Sequence, residues 1–263
     1  MSLFSFTHFI RDSVFTFRNL RGANRFAQKH ELWKGIMNYK WLSKMLFVFA
    51  IIASIMLINS VMNWWNQMPN QMNSIAELGS IVGTMFKGGY DLFVIGGLKY
   101  VVLILVEVVI FHFARRTLEI VRGEEVDNSF SAFIKAQKRM IKVAIFSFLM
   151  ESFYSIILKV ATGVIGFSFI DPVGIFIIQC FFLGYAIIDN YNEIYHMTLK
   201  QSFKMTQKYA GVTLVIGIPV YIIMLMPLLG TIFGPILGAI AATITMNELV
   251  AKDGGMEWVY AKK

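Results

Sequence analysis

Four ionisable residues stand inside otherwise apolar runs: Lys99 and Glu107 in one, Glu151 and Lys159 in another. A charge at the centre of a lipid bilayer costs about 2.5–3.5 kcal/mol or more. Such residues therefore face a bundle interior, pair with one another, or line a watery path. The members of each pair are eight residues apart, which is about 80° around a helix of 3.6 residues per turn, broadly one face. Opposite charges so placed either neutralise each other across neighbouring helices or form fixed points along an ion pathway. Lys159 also stands near enough to a helix end to snorkel toward the interface.

Other chemistry is not indicated. There is no Gly-x-Ser-x-Gly elbow, phosphate-binding loop, His-Glu-x-x-His pair or dinucleotide fingerprint. His8, His30, His112 and His196 are scattered without metal-ligand spacing. The lone Cys180, in the run IIQCFFLG, makes neither an intrachain disulfide nor a zinc site. The expectation is a non-enzyme with no catalytic residue, no metal and no cofactor.

The elements that must position these charges are membrane helices. The chain has 263 residues, 57% of them apolar and 15% charged, and a mean hydropathy of +0.62. A soluble chain of that length needs far more polar surface. The formal charge of +8 invites a nucleic-acid reading, but no supporting motif accompanies it. Basic residues instead flank the apolar spans, as orientation signals and lipid-headgroup contacts do. Arg18, Arg21, Arg25, Lys29, Lys34, Lys40 and Lys44 precede the first span, and Trp64 and Trp65 close it. Residues 66–91 carry one basic residue, Lys87, whereas seven lie between Arg115 and Lys142. This asymmetry predicts that the basic segments and both termini are cytoplasmic.

The predicted fold is all-α and membrane-embedded. A single domain at 38–251 holds long helices at about 40–65 and 92–122, a hairpin at about 133–188, an amphipathic helix at about 194–208 and a hairpin at about 210–250. Residues 1–37 are read as an interfacial or cytoplasmic extension, rich in Phe and without a secretory-signal pattern. Residues 252–263 are read as a cytoplasmic tail. The run 173–188 stops at Asp189-Asn190 and falls short of the roughly 20 residues a crossing requires. Both hairpins are therefore expected to be half-inserted, with their turns shielded from lipid. In the closing block, Pro219, Pro227 and Pro235 interrupt the apolar run. Gly230, Gly234 and Gly238 recur every fourth residue there, a spacing that lets another helix approach closely. Lys200, Lys204 and Lys208 form a stripe on the amphipathic segment, read as a membrane-parallel cytoplasmic face.

The C-terminal half resembles the CysZ family and its eukaryotic etoposide-induced relatives. The match rests on Asp189 and Tyr191 after a short apolar helix, Ser202-Phe203 in the amphipathic segment, Gly211 and Gly217, Ile218-Pro219, and the ending Pro235, Ala241, Ala242, Thr243. It extends over residues 38–249. The resemblance implies an oligomeric bacterial inner-membrane protein with two long transmembrane helices and two half-inserted helical hairpins. It also implies sulfate passage into the cytoplasm for cysteine synthesis. The family's basic element reads Gly-Leu-Arg-Arg followed by Pro; here the matching stretch is Lys40-Trp41-Leu42-Ser43-Lys44. Lys40, Ser43 and Lys44 are thus the anion-binding candidates, with lysine point charges in place of an arginine fork. The expected partners are the lipid bilayer, further copies of the chain, and sulfate or a similar small anion, with no nucleic acid. A second class of function stays open: a non-transporting membrane protein that scaffolds or assists other membrane components.

Overall fold

The computed structural model describes residues 6–34, 44, 98–226 and 229–254. Among these the chain is all-helical, without a strand. The elements are α1 (Phe6–Lys29), α2 (Leu98–Arg122), α3 (Phe130–Ile165), a 3-10 turn (Ser168–Ile170), α4 (Asp171–Ile194), α5 (Leu199–Lys208), α6 (Ala210–Met224) and α7 (Leu229–Lys252). The first long helix expected at about 40–65 lies outside the described residues, apart from Lys44. Among the described residues, three segments are long and apolar enough to cross a membrane: α3, the 3-10 turn with α4, and α7.

Local signals explain where these helices start and stop. Ser129 caps α3 by accepting from the Ala132 amide, and Gly166 ends it in the left-handed conformation, φ 81°. Pro172 sits in the first turn of α4, where a missing amide hydrogen costs nothing. Thr198 opens α5 with a capping box closed by Gln201. The chain then bends by 93° between α5 and α6.

Three expectations need correction. Asp189 and Asn190 do not end the helix that precedes them; α4 continues to Ile194. Both side chains are buried, and Asp189 is neutralised by neighbours instead of facing water. At 24 residues α4 is long enough to cross, and α3 at 36 residues extends about 54 Å. The shortness argued for 173–188 therefore does not hold. The amphipathic helix begins at Leu199, not near 194, because Thr198 caps it there. Finally, Pro219 and Pro235 lie inside α6 and α7 without ending either helix. Pro227 lies outside the described residues.

α4 is the central element, packed by α3, α6, α7 and α2. Its residues from Gln179 to Asn192 are nearly all buried. Two glycines set its approach to α6. A Cβ on Gly184 would come 2.1 Å from the Thr213 carbonyl oxygen, and one on Gly217 would come 1.8 Å from that of Cys180. α1 lies along α6 and α7. Thr16, Ala23 and Ala27 supply its buried face, and Asn19 Nδ2 donates to Thr245 Oγ1 at 3.0 Å. The N-terminal extension is thus docked on its own chain.

Candidate functional site: a buried polar column

α2 carries three buried charges at eight-residue intervals, about two turns apart: Lys99, Glu107 and Arg115. Lys99 and Arg115 are about 24 Å apart along the helix axis. Around them α3, α4 and α6 assemble a column of polar groups inside the apolar bundle.

The first layer centres on Lys99, which is fully buried. Its Nζ donates to Glu151 Oε1 at 2.7 Å, from α2 to α3. The Tyr100 hydroxyl donates to Glu151 Oε2 at 2.6 Å, so both carboxylate oxygens are engaged. Lys99 Nζ also lies 5.2 Å from the Tyr100 ring centroid and 5.6 Å from that of Tyr221 on α6. The Tyr221 hydroxyl donates to Gln179 Oε1 of α4 at 2.9 Å. Four helices thus converge on one ion pair.

The second layer joins α3, α4 and α5. Arg139 grips Asp189 with a two-point contact, Nε to Oδ2 and Nη2 to Oδ1, each 2.7 Å. Its remaining Nη1 donates to the Met197 carbonyl in the turn between α4 and α5. Ser202 of α5 donates to Asp189, and Asn192 Nδ2 donates to Ser202 Oγ at 2.9 Å. Alongside, Arg115 Nη2 donates to Glu193 Oε2 at 2.6 Å and Nη1 to the Asp127 carbonyl at 2.8 Å. Arg115 and Glu193 also line a cavity of about 260 Å³ bordered by Arg122, Asp127, Lys135 and His196.

Between the layers sits Glu107, 1% exposed, with Oε2 lacking a hydrogen-bond partner. The column therefore sets three cations (Lys99, Arg115, Arg139) against four carboxylates (Glu107, Glu151, Asp189, Glu193).

At the base of α6, outside the apolar segments, the Tyr209 hydroxyl donates to Asp253 Oδ2 at 2.7 Å and Lys208 Nζ reaches the same oxygen at 3.0 Å. Partial burial opposes ionisation of Asp253, but the bonds from Tyr209 and Lys208 outweigh it and hold the carboxyl below its ordinary range. Burial, reinforced by Asp253, pushes the Tyr209 phenol up.

Of the four charges within apolar runs singled out in the sequence, the structure joins Lys99 to Glu151. Glu107 and Lys159 do not join them: Lys159 is exposed on α3 and makes no ion pair among the described residues. Lys40 and Ser43 lie outside the described residues, and Lys44 is exposed. Gly230 and Gly238 pack tightly, with an added Cβ 1.8 Å from the Ile223 carbonyl oxygen and 2.7 Å from Val220 Cγ2, whereas Gly234 meets nothing nearer than 3.3 Å. Sequence reasoning missed Tyr100, Arg115, Arg139, Gln179, Asp189, Glu193, Ser202 and Tyr221 as members of the site. Arg115 and Arg139 read as orientation charges, and Asp189 read as a helix end. No family model, curated protein or solved structure matches the chain.

Proposed function

We propose that this chain is an integral membrane transport protein that passes a small anion, sulfate by its CysZ-like resemblance, into the cytoplasm for sulfur assimilation. The observation that carries the transport reading is the column of buried, paired charges through an apolar helical bundle. Ionisable groups held at that depth are costly and mark ion pathways by default. A bundle built only for packing gains more from apolar residues of the same volume.

In this reading the basic end faces the cytoplasm of a bacterial inner membrane, the termini lie on that side, and copies of the chain associate in the bilayer. α6, 15 residues and about 22 Å long, belongs to a half-inserted hairpin with α7, while α3 and α4 are long enough for full crossings. The resting column is closed to anions, because each of its cations already faces a carboxylate. An oxyanion advances only by competing with Glu193 for Arg115, Asp189 for Arg139, or Glu151 for Lys99. Lys44, exposed at the approach to the first span, is a collecting charge in the position of the family's basic element.

Purified protein in liposomes tests the proposal. Uptake of labelled sulfate above that of empty vesicles supports it; equal uptake for sulfate and related oxyanions overturns it.

A second reading, membrane scaffolding without transport, has its own support in the tip of the α3–α4 hairpin. There Val164 is 83% and Phe169 76% exposed, a broad apolar surface for a membrane partner. It predicts normal growth of a deletion strain on limiting sulfate, together with an envelope defect.

A further inference from the structure

Beyond the column, the basic end carries cations that no carboxylate satisfies. Lys142 of α3 and Lys200 and Lys204 of α5 are all exposed and form no ion pair among the described residues. An aromatic contact links the two helices that carry them. Phe203, between Lys200 and Lys204, packs its ring against Phe146 at 5.3 Å between centroids. Phe146 lies one helical turn beyond Lys142 on the same face of α3. Phe203 is held further by Phe182 at 6.2 Å and Tyr185 at 5.4 Å, so α5 is pinned to the bundle. Because the chain bends 93° between α5 and α6, α5 runs across the end of the bundle, and its lysines spread in that plane.

A second feature continues directly from these lysines. Going up α3 from Lys142, Ile145, Leu149 and Ile156 are 56%, 60% and 62% exposed. They form an apolar stripe that starts where the unpaired lysines end. Positive charge above a mainly apolar strip, broken by half-buried Ser152 between Leu149 and Ile156, matches one chemistry: a phosphate-bearing headgroup joined to a hydrocarbon chain.

We propose that α3 and α5 form a binding site for an anionic phospholipid of the leaflet at the basic end. Its phosphate lies against Lys142, Lys200 and Lys204, and an acyl chain follows Ile145, Leu149 and Ile156. The occupied site braces α5 against α3, and so stabilises the Ser202–Asp189–Arg139 contacts that lie on the opposite face of α5. This rests on the membrane reading above. The lysines are exposed and distinct from the buried cations of the column.

The test uses the full chain, purified in detergent, titrated with phosphatidylglycerol and with phosphatidylcholine while bound lipid is counted by native mass spectrometry. Phosphatidylglycerol is expected to bind at least tenfold more tightly. A surface lysine contributes about 1 kcal/mol to anionic-lipid attraction, roughly fivefold, so Lys142→Gln with Lys204→Gln is expected to weaken phosphatidylglycerol by about 25-fold. Phosphatidylcholine binding and the melting temperature without lipid should stay unchanged, and Lys29→Gln on α1 should change nothing. Equal affinity for the two lipids, or a preference that survives the double substitution, overturns the site. Displacement of the lipid by millimolar inorganic phosphate assigns the lysines to a free oxyanion and overturns the lipid assignment. An alkaline carbonate wash of membranes separates the two levels: a chain released by the wash overturns the membrane reading and this site together. A retained chain without lipid preference overturns this site alone.

Discussion

Lys99 and Glu151, 52 residues apart in the chain, form a 2.7 Å ion pair that closes α2 onto α3 in the interior of the bundle. The Tyr100 hydroxyl takes the second carboxylate oxygen, which leaves Glu151 fully engaged. A pair this deeply buried is asymmetric in its energetics. Breaking it by removing one partner strands a charge and costs about 3–5 kcal/mol, while replacing both partners with apolar groups is close to neutral. Glu151→Gln is therefore expected to lower stability by that amount in detergent micelles. The double variant Lys99→Met with Glu151→Leu should recover most of it. Glu107→Gln should cost under about 1 kcal/mol, since the Oε2 it alters has no partner to lose. Thermal unfolding of the four proteins checks the order; a double variant no better than Glu151→Gln would contradict a paired role.

The Arg139–Asp189 contact makes a different demand, because it depends on shape as well as charge. The guanidinium presents two parallel N–H groups to the carboxylate and a third to the Met197 carbonyl. A lysine keeps the charge but offers no fork. Arg139→Lys is expected to loosen α5 nearly as much as Asp189→Asn, which sets an amide NH2 where one of the two carboxylate oxygens accepted from Arg139. Limited proteolysis between Tyr195 and Leu199 reads this directly, and cleavage should rise in both variants. An Arg139→Lys protein as resistant as the wild type would show that charge alone suffices.

The contrast between these two pairs explains what was legible beforehand. Lys99 and Glu151 stand out because a charge in an apolar run has few innocent explanations, yet their mutual pairing depends on how α2 crosses α3. Arg139 and Asp189 sit at the ends of apolar runs, where charge is commonplace, so their burial leaves no trace in composition. Asp189 even misplaced the end of α4, because its solvation is supplied by Arg139, 50 residues away on α3, and by Ser202 across the turn into α5. α1 is similar: its Phe and Arg residues dominate the pattern, while the small face of Thr16, Ala23 and Ala27 decides where it docks. Helix type was readable, since it follows from local composition.

Glycines give a third test, because periodicity and packing disagree about them. Gly230, Gly234 and Gly238 share a visible four-residue spacing, but an added methyl group clashes with a backbone carbonyl only at Gly230. The closest approach between α4 and α6 comes instead from Gly184 and Gly217, which show no repeat. Overpacking of this kind typically costs about 1–3 kcal/mol and more where the obstacle is backbone. Gly217→Ala, Gly184→Ala and Gly230→Ala are each expected to lose at least about 2 kcal/mol. Gly238→Ala should fall between, its obstacle being the Val220 side chain, and Gly234→Ala should cost under about 1 kcal/mol. Melting temperatures of the five variants in one detergent give the ranking.

The end of α7 is held by a contact that depends on pH. Asp253 accepts from Tyr209 and Lys208, tying the C-terminal turn of α7 to the bend between α5 and α6. Its carboxyl is held below the ordinary range in the folded chain. A group whose folded value is depressed contributes stability that is fully present above its unfolded value, about 3.9. That contribution is lost as pH falls through the folded value. The tie should therefore be constant between pH 8 and 5 and weaken only below about pH 4, the direction opposite to that of a histidine switch. Hydrogen exchange of residues 248–253, corrected for the intrinsic rate, is expected to stay flat across the upper range and to rise in acid. Asp253→Asn removes the ionisable group, so its exchange should start faster at pH 7 and lose the acid dependence. A rise centred near pH 6 in the unsubstituted chain would assign control of this turn to another group.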